Sequence, residues 1–279
     1  MSGCVMNSWC LTPQRDWANR LAQKLGYVGS ENEKEILEFL QKADPTKIVE
    51  HQKSLLNGDE IGKIAFAFAP QIETFITDSS FVPRKPIEML RNAWSNDIDV
   101  LVGGTCDEGL MYLDMLKKNP LILSHFKLES IVPTEVGLSA DNPKVIEFVE
   151  NMRKIYYPTN SDPTKDELAY CKVVFLTWPF ISIIINHFSF PQIATDQFFW
   201  HGLQRIVQGR QNSGGKGKTF LYRFAVDSPT QNHYRIRRLG PDVRGVCHAD
   251  DMSYVFRNAY GALPQRDSIE FKTIERFVS

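Results

Sequence analysis

A short apolar run, Asp99 to Val102, stops at Gly103-Gly104 and is followed closely by the acids Asp107 and Glu108. A strand that ends on paired glycines can turn sharply, and α/β folds build their sites at the carboxyl edge of such strands. The spacing predicts that turn at Gly103-Gly104 and a helix from near Glu108 to Lys117. A second segment is arranged in the same way. Lys218 to Phe224 reads as an aromatic-rich strand. Further on, Gly245-Val246-Cys247-His248-Ala249-Asp250-Asp251 sets a histidine between two features. One is a glycine that permits close approach to a preceding strand. The other is a helix predicted from Asp250 to about Asn258.

Between and around these segments the apolar period is helical. Asp16 to Leu25 places Trp17, Leu21 and Leu25 on one face. A helix after Ser30 is expected to bury Ile36, Leu37 and Leu40. Asp44-Pro45 reads as an N-cap followed by proline at the first helical position. Short or longer helices are predicted over Pro86 to Arg91, after Pro143 (carrying Val145, Ile146 and Val149) and over Asp196 to Val207. Strands alternating with helices give the class α/β, with few strands for the length. A chain of 279 residues, 43% hydrophobic, can bury one large core or two smaller ones.

A net charge of −1 supplies no field that would favour nucleic acid or an acidic membrane surface. Arg235, Arg237 and Arg238 form the one basic cluster and are expected in a solvated loop beside Asn232 and Gly240. The cysteines (Cys4, Cys10, Cys106, Cys171, Cys247) are odd in number and widely spaced. That pattern fits neither a disulfide framework nor a zinc knuckle, so no metal and no cofactor are expected. The default compartment is a reducing, cytoplasmic one. A leader upstream of Met1 would instead make the protein secreted. Ser213-Gly214-Gly215-Lys216-Gly217-Lys218-Thr219 resembles a phosphate loop but has Asn212 where a glycine is required. It also precedes a strand rather than a helix. It is expected to be a flexible surface loop.

Val173 to Gln192 stands apart because it is almost free of charge and close to membrane-spanning length. Three readings compete: a translated intron, a genuine buried segment or loop, and a membrane span. The span is disfavoured, because it would put Glu108 and His248 on opposite sides of a bilayer. The intron is favoured. A run rich in Phe, Ser, Ile and Pro that ends in Gln is what a pyrimidine tract before a splice acceptor encodes. On this reading residues 173–192 are an insertion within one domain spanning 1–279.

Judged singly, Glu108 and His248 each have a plain structural alternative. Asp107 and Glu108 can complement a helix dipole, and His248 can be a helix-start residue. Judged together, an acid and then a histidine, each after a strand, follow the order of the α/β-hydrolase triad. At this point the chain resembles the type-B carboxylesterases, and among them the insect α-esterases that handle xenobiotic esters. Asp107-Glu108-Gly109 and Gly245 to Asp251 look like the family's acid and histidine motifs. Ser2-Gly3 with Trp9, Phe68-Ala69-Pro70 with Ile72-Glu73, Phe199-Trp200-His201-Gly202 with Arg205, Tyr222-Arg223-Phe224 and Asp227-Ser228 extend the likeness. It covers nearly the whole chain except Val173–Gln192.

The resemblance implies the carboxyl-terminal part of an α/β-hydrolase fold: later sheet strands with covering helices, incomplete at both ends. It implies hydrolysis of small-molecule carboxylic esters through a serine acyl-enzyme, with Glu108 as acid and His248 as base. Trp9 would line the acyl pocket, and Ser2 and Asp251 would support the site from behind. No Gly-x-Ser-x-Gly occurs in the chain, so the nucleophile and oxyanion glycines are absent and the 279 residues alone are expected to be inactive. The alternative is a cholinesterase-like adhesion or interaction protein that has lost catalysis. The presence of both Glu108 and His248 argues against it.

Overall fold

A computed structural model of the chain describes residues 3–7, 9–57, 60, 66–118, 132, 137–156, 193–256, 261 and 263–278. Val173–Gln192 and Ser2 lie outside these residues. The chain divides into two compact units, Ser8–Met89 on one side and Met1–Asn7 with Leu90–Ser279 on the other.

The smaller unit is helical. It contains α1 (Trp17–Lys24), α2 (Glu33–Gln41), α3 (Pro45–His51) and α4 (Pro86–Met89). Its core gathers Trp17, Leu21, Leu55 and Ala67, with Leu25, Leu40 and Ile48 packed against them. The expected α1 face is the buried one. Asp44 caps α3 as expected, its carboxylate accepting the Thr46 N–H at 2.9 Å. α2 follows Ser30 as expected, and Asn32 caps it by accepting the Lys34 and Glu35 N–H groups at 2.9 and 3.3 Å. Of the three residues expected to be buried, Ile36 is buried and Leu40 packs half-buried against the core, but Leu37 faces outward, 55% exposed.

The larger unit is built on β1 (Val100–Thr105) and β2 (Thr219–Phe224), which pair in parallel from Val100↔Thr219 to Thr105↔Phe224. Parallel pairing needs a long crossover, and the chain between them supplies helices. These are α5 (Tyr112–Lys118), α6 (Pro143–Tyr156) and α7 (His201–Gln211), and after β2 come α8 (His233–Leu239), α9 (Met252–Val255) and α10 (Ile269–Val278). On α6, Val145 and Val149 are buried while Ile146 is 46% exposed. Burial of the strands is concentrated at their carboxyl ends, where Val102 to Thr105 and Phe224 are covered.

Several expectations give way here. Gly103-Gly104 does not form the turn but lies inside β1. A Cβ at Gly103 would run into the Tyr222 backbone oxygen across the pair, so glycine is needed for strand approach. The chain turns later, through a 3₁₀ turn at Glu108–Met111 ahead of α5. The helix after His248 is short, because Phe256 at its end is extended (φ −118°, ψ 139°). No strand immediately precedes Gly245 among the described residues. The loop from Ser213 to Lys218 lies at the surface ahead of β2, as expected, and hydrogen bonds anchor it. Lys216 and Lys218 donate their N–H groups to Asp97 and Asp99 at 3.0 and 2.7 Å, and Arg210 donates to the Thr219 hydroxyl at 2.8 Å.

The basic cluster is not a solvated loop. It lies on α8, and Arg235 is fully buried. Its guanidinium donates to the Ser228 carbonyl at 2.7 Å, to the Val243 carbonyl and, at 3.4 Å, to Asp227. A buried cation is tolerated only with such partners. Among the described residues no helix is long and apolar enough to cross a membrane.

Candidate active site

Glu108 comes first, from the end of β1. Its Oε1 accepts the Thr105 N–H at 2.7 Å, so the side chain folds back over the strand terminus. Gly104 makes that possible, since a Cβ there would lie 2.7 Å from Oε1. The next residue, Gly109, donates its N–H to the Thr195 hydroxyl at 2.9 Å. Glu108 is wholly buried, and a buried carboxylate requires strong partners.

The second partner is His248, whose Nδ1 lies 2.6 Å from Glu108 Oε2. The imidazole is 28% exposed and the carboxylate 0%, so the acid is sealed behind a histidine that solvent can reach. A carboxylate accepts only, so it fixes the proton on Nδ1 and leaves Nε2 as the basic nitrogen. Two rings flank the imidazole: Phe199 at 5.0 Å between centroids and Tyr234 edge-on at 6.2 Å. Phe199 belongs to a π turn, Asp196–Trp200, that leads into α7. The Trp200 indole N–H in the same turn bonds the Thr105 carbonyl at 3.0 Å.

The segment carrying His248 has an unusual backbone, with positive φ at Gly245 (111°) and Ala249 (69°). A Cβ at Gly245 would meet Leu110 Cδ1 at 2.7 Å, so glycine is required there on two counts. Carboxylates supply the acceptors that regular structure would otherwise provide. Asp227 takes the Gly245 N–H at 3.1 Å, Asp107 the Val246 N–H at 2.9 Å, and Asp250 the Cys247 N–H at 2.7 Å. Asp107 N–H returns to the Val246 carbonyl at 3.1 Å, and Asp250 also accepts the Arg235 N–H at 3.0 Å. Burial pushes the Asp250 carboxyl up to about 6 against the pull of these donors.

Neither nearby thiol is a nucleophile. Burial, with Asp107 alongside, pushes Cys106 up to about 12, and burial raises Cys247 further, so both stay protonated at neutral pH. Tyr112 is likewise pushed up to about 12 by burial, with Glu108 adding to the effect. Among the described residues no cluster of three His, Cys, Asp or Glu is placed to hold a metal.

Of the residues singled out in the sequence, Glu108 and His248 are brought together. Asp251, shortly after His248 in the chain, is buried and accepts the Tyr222 hydroxyl at 2.7 Å. Trp9 belongs to the Ser8–Met89 unit. The sequence reading missed Arg235 as a buried anchor. A four-residue step puts Arg235 on one face of α8 with the apolar Leu239, but that step does not by itself mark a buried cation. The sequence reading also gave Asp107, Asp227 and Asp250 no bonding role.

A buried acid bonded to a partly exposed histidine, at the carboxyl end of a parallel strand, has the geometry that an α/β-hydrolase asks of its acid and base. The carboxylesterase family model matches residues 1–279, and the chain belongs to that family. Esterase B1 of Culex pipiens is 35% identical over 280 residues, covering 100% of this chain and 48% of that protein. Juvenile hormone esterase of Heliothis virescens is 23% identical over 219 residues, covering 74% and 32% respectively. The crystal structure of juvenile hormone esterase from Manduca sexta, with OTFP covalently attached, is similar with a TM-score of 0.68. It is 19% identical over 98% of this chain and 48% of that one, and it gives the fold as α/β-hydrolase. The chain thus spans about half the length, or less, of the curated relatives it matches.

Proposed function

We propose that the chain carries the acid and the base of a serine carboxylic-ester hydrolase acting on small-molecule esters. The observation that carries this reading is the 2.6 Å contact between His248 Nδ1 and the buried Glu108 carboxylate. With Nδ1–H committed to Glu108, His248 Nε2 accepts the proton of an attacking serine hydroxyl and passes it to the leaving alcohol. Water then repeats the sequence on the acyl-enzyme. Glu108 holds the tautomer and stabilises the imidazolium as it forms. Tyr222, through its bond to Asp251, supports the chain just beyond His248.

The serine is not among these residues, because no Gly-x-Ser-x-Gly occurs in them. Two outcomes follow. The purified 279-residue chain should hydrolyse p-nitrophenyl acetate no faster than its His248→Ala variant. In a polypeptide that joins this chain to a Gly-x-Ser-x-Gly segment, Glu108→Gln should lower kcat by about 10⁴-fold, with the tautomer no longer fixed. A loss under about tenfold would remove Glu108 from the triad.

A further inference from the structure

Gly245, Val246 and Cys247 donate consecutive amide N–H groups to three different aspartates, and the next residue is His248. The three come from separate places in the chain. Asp107 follows β1, Asp227 follows β2, and Asp250 lies two residues past the histidine while also accepting the first-turn N–H of α8 at Arg235. The segment makes no sheet ladder and sits between two positive-φ residues, so its backbone course is not fixed by regular structure. Charged acceptors hold such N–H groups more firmly than neutral ones do. Asp227 is itself pinned by Arg244 Nε at 2.7 Å and by buried Arg235.

We propose that Asp107, Asp227 and Asp250 are positioning residues for the His248 imidazole. By taking the Val246, Gly245 and Cys247 amides they fix the direction from which His248 reaches Glu108. None of the three is bonded to the imidazole in this arrangement, so they act through the backbone of the segment. The proposal rests on the reading of Glu108 and His248 as acid and base.

The oxygens separate positioning from bulk stability. Asp107 uses one oxygen, Oδ2, for both the Val246 N–H and the Cys106 S–H, and an asparagine carbonyl can replace it. Asp250 uses both, Oδ1 for Arg235 N–H and Oδ2 for Cys247 N–H. Asparagine there must turn an NH₂ against one of those donors. The test is ¹⁵N-histidine NMR of the 279-residue chain, reading exchange of the His248 Nδ1 proton with water. The resonance is assigned by its loss in His248→Gln. Asp107→Asn, which keeps a carbonyl acceptor for the Val246 N–H but loses the charge, should raise the exchange rate less than Asp250→Asn does. Asp250→Asn should raise it about tenfold, as expected from losing one charge-assisted hydrogen bond. Val149→Ala, a core truncation on α6, should leave it unchanged.

Equal rates in Asp250→Asn and wild type would overturn the proposal. So would an increase in Val149→Ala as large as that in Asp250→Asn, since general loosening would then account for it. The readout needs no turnover, so the underlying reading fails separately. A Nδ1 proton that is unaffected by Glu108→Gln removes the acid–histidine pair itself.

Discussion

Gly104 and Glu108 constrain each other, and that constraint is testable with a single methyl group. A Cβ at Gly104 would lie 2.7 Å from Glu108 Oε1, inside contact distance. Gly104→Ala should therefore displace the carboxylate and cost about 1–3 kcal/mol, the usual range for an overpacked core position. The change would be read as a lower urea midpoint at unchanged m. Arg235 and Arg238 supply a contrast within one short basic run. Arg235→Ala should cost about 3–5 kcal/mol, because it empties a fully buried side-chain volume and leaves the Ser228 and Val243 carbonyls without their donor. Arg238 is 52% exposed beside Asp114 at 3.9 Å, and its removal should cost under about 1 kcal/mol. Equal losses at the two sites would discredit the buried anchor. Glu108 and His248 could be picked out of the sequence because each stands in a short glycine-marked motif of the right order. Arg235 could not, because the Ser228 and Val243 carbonyls and the Asp227 carboxylate that justify its burial leave no mark on the local pattern.

Among the elements, what could be read from sequence tracks how local the determinant is. The α1 face and the Asp44-Pro45 cap of α3 depend on contacts within a few residues, and both were visible. The place of Gly103-Gly104 was not, because β2 is the reason the strand continues through them, and β2 pairs from far along the chain. A glycine pair looks the same whether it serves a turn or a close strand approach. This yields a prediction at the level of the strand pair. Gly103→Ala forces a methyl into the Tyr222 carbonyl and should part β1 from β2 near the site, with amides of Gly104 to Cys106 losing hydrogen-exchange protection. Unchanged protection there would mean that the pair tolerates a side chain.

For the molecule as a whole, Asp250 sets a pH dependence. Its carboxyl is held at about 6 in the folded chain against an ordinary 3.8. Between those values the folded state keeps a proton that the unfolded chain has already released. Stability from this group is therefore greatest below about pH 4, falls as pH rises towards 6 and is level above it, a drop of roughly 3 kcal/mol. Unfolding free energies of wild type and Asp250→Asn at pH 4 and pH 7 test the sign. The wild-type advantage should shrink on going to pH 7, and a growing advantage would reverse the assignment. The π turn at Asp196–Trp200 bears on how relatives of this chain are compared. It is a helical turn wound with one extra residue, closed by the His201 N–H on the Asp196 carbonyl. A gene lacking that one codon would encode an ordinary turn, with neighbouring side chains rotated by about 100° about the axis. The ring beside His248 is thus a trait that a single-codon gain or loss can switch, and percent identity, which counts substitutions, does not register it.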